Sequence, residues 1–272
     1  MKSVLITGAN EGIGYHMARQ FLADGKNVAV LDLHIEQLEP LFAEYPGRLF
    51  TVKGDVRDAR CVNDMVSGAL DKFGVIDYAV HNACYCPFAD FETLNDEEYH
   101  RTFAVNYYGA VNLCRAVLPV MKKQQSGSVF FTSSAVGITG FSGISSYASS
   151  KGALEALAKC LALEYQDSGV SFHILHPPLT KTRSAAPLPV PEKMKADAGL
   201  VGSGLAKRIG KDRFILCHSR SLLFQTRLMY LFPVAMGNFL SKGVKKLMAE
   251  KIQRGDKNIP RLLQGKGTHL YK

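Results

Sequence analysis

Two groups of residues in this chain have the types and spacing to do chemistry. Tyr147 and Lys151 stand four apart in Tyr147-Ala148-Ser149-Ser150-Lys151, so on a helix they share a face. A cation beside a phenol stabilises the phenolate and lowers its pKa from about 10 toward neutrality, as a general acid/base requires. Ser134 precedes Tyr147 by 13 residues and ends a short apolar run, from which its hydroxyl can be aimed at the same substrate atom. The second group is the turn Thr7-Gly8-Ala9-Asn10-Glu11-Gly12-Ile13-Gly14. Glycines there let the backbone bend tightly and approach a pyrophosphate seated at a helix N-terminus. Asp32 follows Gly14 by 18 residues, and its carboxylate can accept both ribose hydroxyls of an adenosine. Each signal is common when taken alone, since tight turns use glycine and a Tyr–Lys pair at this spacing arises by chance.

Position gives them weight. Apolar, strand-like runs at Ser3–Thr7, Asn27–Asp32, Leu49–Lys53, 75–82, 128–133 and Val170–His176, and a weaker one at 213–217, alternate with amphipathic stretches at 14–24, Ala59–Phe73, 99–123 and 149–166. Strands apolar on both faces between helices predict an α/β fold, a doubly wound parallel sheet of seven strands with helices on both faces. The glycine turn then joins the first strand to the first helix, Asp32 ends the second strand, and Tyr147 opens the helix after the fifth. At 272 residues the chain reads as a single domain, with residues 1–182 as its cofactor-binding and catalytic core. Residues 183–272 form a basic, helical C-terminal extension, set off where Pro177, Pro178, Pro187, Pro189 and Pro191 crowd together.

Composition narrows the function classes. With 47 % hydrophobic and 21 % charged residues the chain buries a core and is not disordered. No continuously apolar run reaches the ~18 residues of a spanning helix, the longest uncharged stretch, 124–150, being rich in Ser and Gly. The first apolar run, Val4-Leu5-Ile6, is too short for a signal peptide, so six scattered cysteines are expected as reduced thiols in a cytoplasmic protein. Cys84 and Cys86 lack a second ligand pair, so no metal site is expected. Residues 1–180 carry 14 Lys and Arg against 19 Asp and Glu, whereas residues 181–272 carry 19 against 5. That asymmetry suits an anionic membrane surface, nucleic acid or simply a solvated face. No clustered aromatics at a recognisable motif support nucleic acid. The run Leu228-Met229-Tyr230-Leu231-Phe232-Pro233-Val234-Ala235-Met236, flanked by Arg220, Arg227, Lys242, Lys245 and Lys246, predicts an apolar substrate lid that touches an anionic membrane or else packs on its own domain. In both cases a lipid-like alcohol or ketone is favoured over a sugar. His81, His173 and His176 are read as structural, because Tyr147 and Lys151 already supply proton transfer.

Taken in order, these motifs resemble the short-chain dehydrogenases/reductases over roughly residues 1–182. Gly54-Asp55-Val56, Asn82-Ala83 and Asn106-Tyr107-Tyr108-Gly109 add to the resemblance. It implies a Rossmann-type fold and an oxidoreductase transferring hydride between a nicotinamide cofactor and a secondary alcohol or ketone. It further implies Tyr147 as proton donor or acceptor and Lys151 as the holder of the nicotinamide ribose. Ser134 would bond the substrate oxygen, Asn106 would anchor a relay water, Asp55 and Val56 would flank the adenine, Asn82 would lie beside the adenosine ribose, and Thr182 would meet the nicotinamide amide. Gly8, Asn10, Glu11, Gly12, Ile13 and Gly14 would cradle the dinucleotide. The apolar helix 153–163 would pack against a second subunit in a homodimer or homotetramer. Asp32 predicts NAD over NADP, since no Lys or Arg stands in the turn or directly after Asp32 to meet a 2′-phosphate. Two residues depart from the family pattern: Cys84 replaces the glycine of Asn-Ala-Gly, and Pro178 replaces that of Pro-Gly. Pro177-Pro178 is locally similar to the 3-ketodihydrosphingosine reductases. A catalytically idle NAD(H)-binding protein is the alternative, and the complete Asn106, Ser134, Tyr147 and Lys151 set argues against it.

Overall fold

The computed structural model describes residues 1–253 apart from 187 and 189. Pro187, Pro189, the side chains of Lys245 and of residues 247–253, and residues 254–272 lie outside the described residues. In chain order the elements are β1 (Ser3–Thr7), α1 (Gly12–Ala23), β2 (Asn27–Asp32), α2 (Glu39–Glu44), β3 (Leu49–Lys53), α3 (Ala59–Phe73) and β4 (Tyr78–His81). Next come α4 (Asp96–Phe103), a π-helical turn (Ala104–Tyr108), α5 (Gly109–Gln124), β5 (Gly127–Thr132), α6 (Ala135–Thr139) and α7 (Ser145–Glu164). The chain continues through β6 (Val170–His176), α8 (Ala198–Ala206), β7 (Ile215–Cys217), α9 (Arg220–Leu231) and α10 (Pro233–Gln253).

The strands form one parallel sheet in the order β3-β2-β1-β4-β5-β6-β7. Alternate residues of each strand feed opposite cores, which is why the runs read as continuously apolar. Leu5, Ala29 and Leu31 face one core with α3, α5 and α7, while Val4, Ile6, Val28 and Val30 face the other with α1, α2 and α8. Between β1 and β4 the winding reverses, and the crevice outside those two strand ends is where such sheets bind ligands. The glycine turn leaves β1 and Asn82-Ala83 leaves β4 at that crevice.

Two expected elements differ. The helix expected over 99–123 is broken at the π turn, where one extra residue re-aims the side chain of Asn106. The strand expected over 75–82 is four residues long, because the Gln124 side-chain amide takes both backbone groups of Ile76, at 3.1 and 2.9 Å. The basic C-terminal segment supplies α8 and β7 to the sheet layers, and α9 and α10 pack against α6.

Candidate active site

The glycine turn is shaped by contacts that no Cβ could share. Gly8 and Gly12 have φ of 69° and 61°, in the left-handed region. A Cβ on Gly14 would stand 2.1 Å from the Gly8 carbonyl oxygen, and one on Gly8 would stand 2.5 Å from Ala83 Cα. The turn therefore lies directly on the strand-4 exit. Asn82 secures it, donating from Nδ2 to the Gly8 carbonyl at 2.6 Å. Glu11 makes no side-chain capping bond, so the N–H groups that open α1 are free of that competitor. At the end of β2, Asp32 accepts the backbone N–H of Asn10 at 2.9 Å and of His34 at 3.1 Å. Two N–H groups thus fix the carboxylate and leave lone pairs for hydroxyl donors. These features fit a dinucleotide with its pyrophosphate at α1 and its adenosine ribose at Asp32.

A cavity of about 560 Å³ adjoins the turn, lined in part by Gly12, His16, Lys181, Thr182 and Arg183. Thr182 lies over Gly12, and Arg183 pairs with Glu11 at 3.3 Å. Thr182 also caps the following turn through Ala185 N. Asp55, expected near the adenine, is ion-paired with Arg57 at 2.6 Å. Burial raises its carboxyl pKa, but the Arg57 side chain and backbone N–H outweigh that and hold it below its ordinary value. Val56 packs where a Cβ on Gly109 would meet it at 2.9 Å, so glycine there lets α5 close in.

Tyr147 and Lys151 lie one turn apart on α7, with the Lys151 Nζ 5.5 Å from the Tyr147 ring centroid. Lys151 is buried and donates to the Thr132 carbonyl at 2.7 Å. Ser134, at the N-terminus of α6, hydrogen-bonds the phenol and favours its ionised form. The depression of the Tyr147 pKa expected from the spacing is not what the protein alone produces. Burial pushes it well above the ordinary value, the neighbouring Cys84 and Cys86 add to the rise, and only Ser134 opposes them. The Lys151 ammonium lies over the ring and is shared with a carbonyl, and its own pKa is lowered by burial. The arrangement is thus a neutral phenol poised to donate a proton, next to a buried cation.

Asn106 is fully buried. Its Nδ2 donates to the Tyr85 carbonyl and to Ser150 Oγ, both at 2.9 Å, while its Oδ1 accepts Tyr85 N–H at 2.7 Å. Its side chain clamps the loop after β4, and its carbonyl faces His81 Nε2 at 3.0 Å. Thr7 Oγ1 accepts the N–H groups of Asn82 and Ala83 and lies 3.1 Å from His81 Nδ1. A carbonyl only accepts, so Nε2 carries the hydrogen, and Thr7 donates to Nδ1. Burial, followed by the nearby Lys151 charge, drives the His81 pKa down to about 3, so the ring stays neutral and holds the turn to the π segment. His173 and His176 are likewise buried and bonded. Cys84, in the place of the family glycine, lies 3.8 Å from Ser184 across the mouth of the site, and all six cysteines are free thiols.

Tyr85, Thr132 and Ser150 are site residues that the sequence motifs did not single out. Tyr85 and Thr132 act through backbone groups, which leave no trace in residue type.

A doubly wound sheet with a dinucleotide turn at its switch point, beside a Ser–Tyr–Lys constellation, defines a nicotinamide-dependent oxidoreductase. The short chain dehydrogenase family model matches residues 2–192, and the chain belongs to that family. It is 37 % identical over 188 residues to oxidoreductase UcpA of Salmonella typhimurium, covering 68 % of this chain and 71 % of that one. It is 35 % identical over 185 residues to 2-(R)-hydroxypropyl-CoM dehydrogenase of Xanthobacter autotrophicus, covering 65 % and 74 %. Among solved structures, a short-chain dehydrogenase from Streptomyces avermitilis superposes with a TM-score of 0.74 at 25 % identity, covering 94 % of this chain and 98 % of that one. The 3-ketoacyl-(acyl-carrier-protein) reductase of Brucella melitensis, in complex with NADH, shares the fold with a TM-score of 0.71 at 22 % identity, covering 80 % and 94 %. The protein is an enzyme acting on CH–OH groups with a nicotinamide cofactor.

Proposed function

We propose that this enzyme transfers hydride between NAD(H) and an apolar secondary alcohol or ketone, with Tyr147 moving the proton. The observation that carries the reading is the convergence of Tyr147, Ser134 and the buried Lys151 at the exit of β5. The bound dinucleotide supplies the hydride chemistry. Ser134 and Tyr147 would bond the substrate oxygen and stabilise the alkoxide-like charge that develops there. Lys151 would hold the nicotinamide ribose, and Asn106 would keep the loop at Tyr85 in place beside it.

Cofactor choice rests on Asp32. A 2′-phosphate would bring like charge to that carboxylate. Lys53, opposite Asp32 in the β2–β3 register, is paired with Glu36 at 2.9 Å, which brings a second carboxylate to this end of the sheet. A panel of secondary alcohols and ketones, followed by nicotinamide absorbance with both cofactors, tests the reading. Apolar substrates with NAD(H) are expected to show kcat/KM about tenfold or more above NADP(H), the worth of one charge-assisted hydrogen bond. Asp32→Ala should narrow that gap. Equal or better use of NADP(H), or a clear preference for small polar substrates, would overturn the corresponding part.

Apolar residues exposed on α7, Ala156, Cys160 and Leu163, support association with a second copy. The C-terminal helices support contact with an anionic lipid surface. On α9, Arg220, Phe224, Arg227 and Leu231 follow at i, i+4, i+7 and i+11, and on α10 Ala235, Phe239, Lys242 and Lys246 do the same. All eight are exposed, and no Asp or Glu occurs between residues 213 and 249. Among the described residues no helix is long and apolar enough to cross a membrane. The protein is expected to sediment with phosphatidylserine-containing vesicles and not with pure phosphatidylcholine. Arg227→Gln and Lys242→Gln should each weaken binding about fivefold. Equal binding to both vesicle types would remove this contact from the proposal.

A further inference from the structure

We propose that Glu155 is a positioning residue through which α9 of the C-terminal segment holds the strand end Thr132–Ser133–Ser134 against the catalytic face of α7. The inference rests on the reading above that Ser134 bonds the substrate oxygen and Lys151 holds the nicotinamide ribose. It adds a residue and a connection that reading does not need.

Glu155 stands four residues beyond Lys151, as Lys151 stands four beyond Tyr147, so the three share one stripe of α7. A carboxylate that is only 4 % exposed is costly unless donors surround it. Three elements supply them. Ser133 Oγ, at the exit of β5, donates to Oε1 at 2.8 Å. Tyr230, on α9, donates to Oε2 at 2.7 Å. His176 Nε2, at the end of β6, lies 3.3 Å from Oε1 and 3.2 Å from the Tyr230 hydroxyl. His176 Nδ1 is buried without a hydrogen-bond partner among the described residues, so the polar holds on this ring lie in this cluster.

The strand end that carries Ser134 is therefore tied to α7 at two consecutive residues. Lys151 Nζ binds the Thr132 carbonyl and Glu155 binds the Ser133 hydroxyl. The second tie shares its carboxylate with Tyr230, whose ring also lies 5.8 Å from Lys159 Nζ. Movement of α9 thus bears on the placement of Ser134 through one side chain. Burial pushes the Glu155 carboxyl up, and the His176, Tyr230 and Ser133 donors outweigh it, leaving the pKa below the ordinary value. The titratable groups around it are His176 from β6, Tyr230 from α9, Lys151 and Lys159 from α7 itself, and Cys217 from β7 beside Tyr230.

Tyr230→Phe in the full-length protein removes one hydroxyl and keeps the ring, and Glu155→Gln serves as the second variant. Amide hydrogen exchange is expected to quicken both in 220–231 and in 130–136. Loosening of 220–231 alone would overturn the proposal, and this readout needs no turnover. In steady state Tyr230→Phe should lower kcat about tenfold with KM for NAD unchanged, the scale of a slightly misplaced catalytic group. The acid limb of kcat should shift to higher pH, because a carboxylate that has lost a donor protonates sooner. A lower folded fraction alone would scale the rate without moving the limb, and that result would also overturn the proposal. A wild-type protein without dehydrogenase activity would defeat the proposed function, while the exchange result would still decide the role of Glu155.

Discussion

Replacing Tyr147 by Phe is expected to lower kcat about a thousandfold while NADH still binds with near wild-type affinity. The hydroxyl is needed only as the proton moves, so its loss falls on the transition state. Nothing else in the site replaces it. Ser134 is a neutral hydroxyl, and His81, with its pKa near 3, is a neutral ring at neutral pH whose one N–H is held by the Asn106 carbonyl and whose other nitrogen is taken by Thr7. Cys86 is no substitute either, since burial and the adjacent Cys84 push its thiol up to about 12. The ring remains to fill its place on α7, so stability should fall by only about 1 kcal/mol, the worth of one neutral hydrogen bond. NADH fluorescence titration and stopped-flow absorbance separate the two effects. Wild-type turnover in this variant would remove Tyr147 from the mechanism.

The elements that carry this chemistry were largely legible because their signals are local. β1, β2, β3 and β6 begin and end where their apolar runs do, since each strand sits between two helical layers and needs apolar residues on both faces. The glycine turn was legible because its positive φ values and its contact with Ala83 admit no other residue. The features without a local signal depend on long-range partners. The π turn at Asn106 exists to meet the backbone of Tyr85, and no periodicity announces it. The shortening of β4 comes from Gln124, nearly fifty residues away. The phenol pKa differs from expectation for a related reason: spacing reports that Lys151 shares a face with Tyr147, but not that its ammonium turns to Thr132 or that burial outweighs it. Glu155 does carry a sequence signal, because Tyr147, Lys151 and Glu155 form an unbroken i+4 series. Its partners Ser133, His176 and Tyr230 come together only in the fold.

Lys151→Met tests the other half of the pair and should act on catalysis, cofactor and stability in different directions. Turnover should fall about a hundredfold or more, since the buried cation near the developing charge is lost. Cofactor binding should weaken as well, which sets this variant apart from Tyr147→Phe. Stability depends on pH in a way that follows from burial. Desolvation lowers the folded-state pKa of Lys151 below its ordinary value of 10.5, with the Cys84 and Cys86 thiols offsetting part of that. Between the lowered value and 10.5 the unfolded chain therefore holds the proton more often than the folded one, and stability from this group rises with pH across that window. Below the window the buried ammonium carries its full desolvation cost, offset by the 2.7 Å bond to Thr132. Methionine fills similar volume without the charge, but it leaves the Thr132 carbonyl without that donor. The variant should thus compare best with the wild type at neutral pH and lose ground as the pH becomes alkaline. Thermal unfolding of both proteins across pH 7 to about 10.5 measures this directly. A Tm difference that stays flat over that range would mean that Lys151 is not held as a desolvated cation.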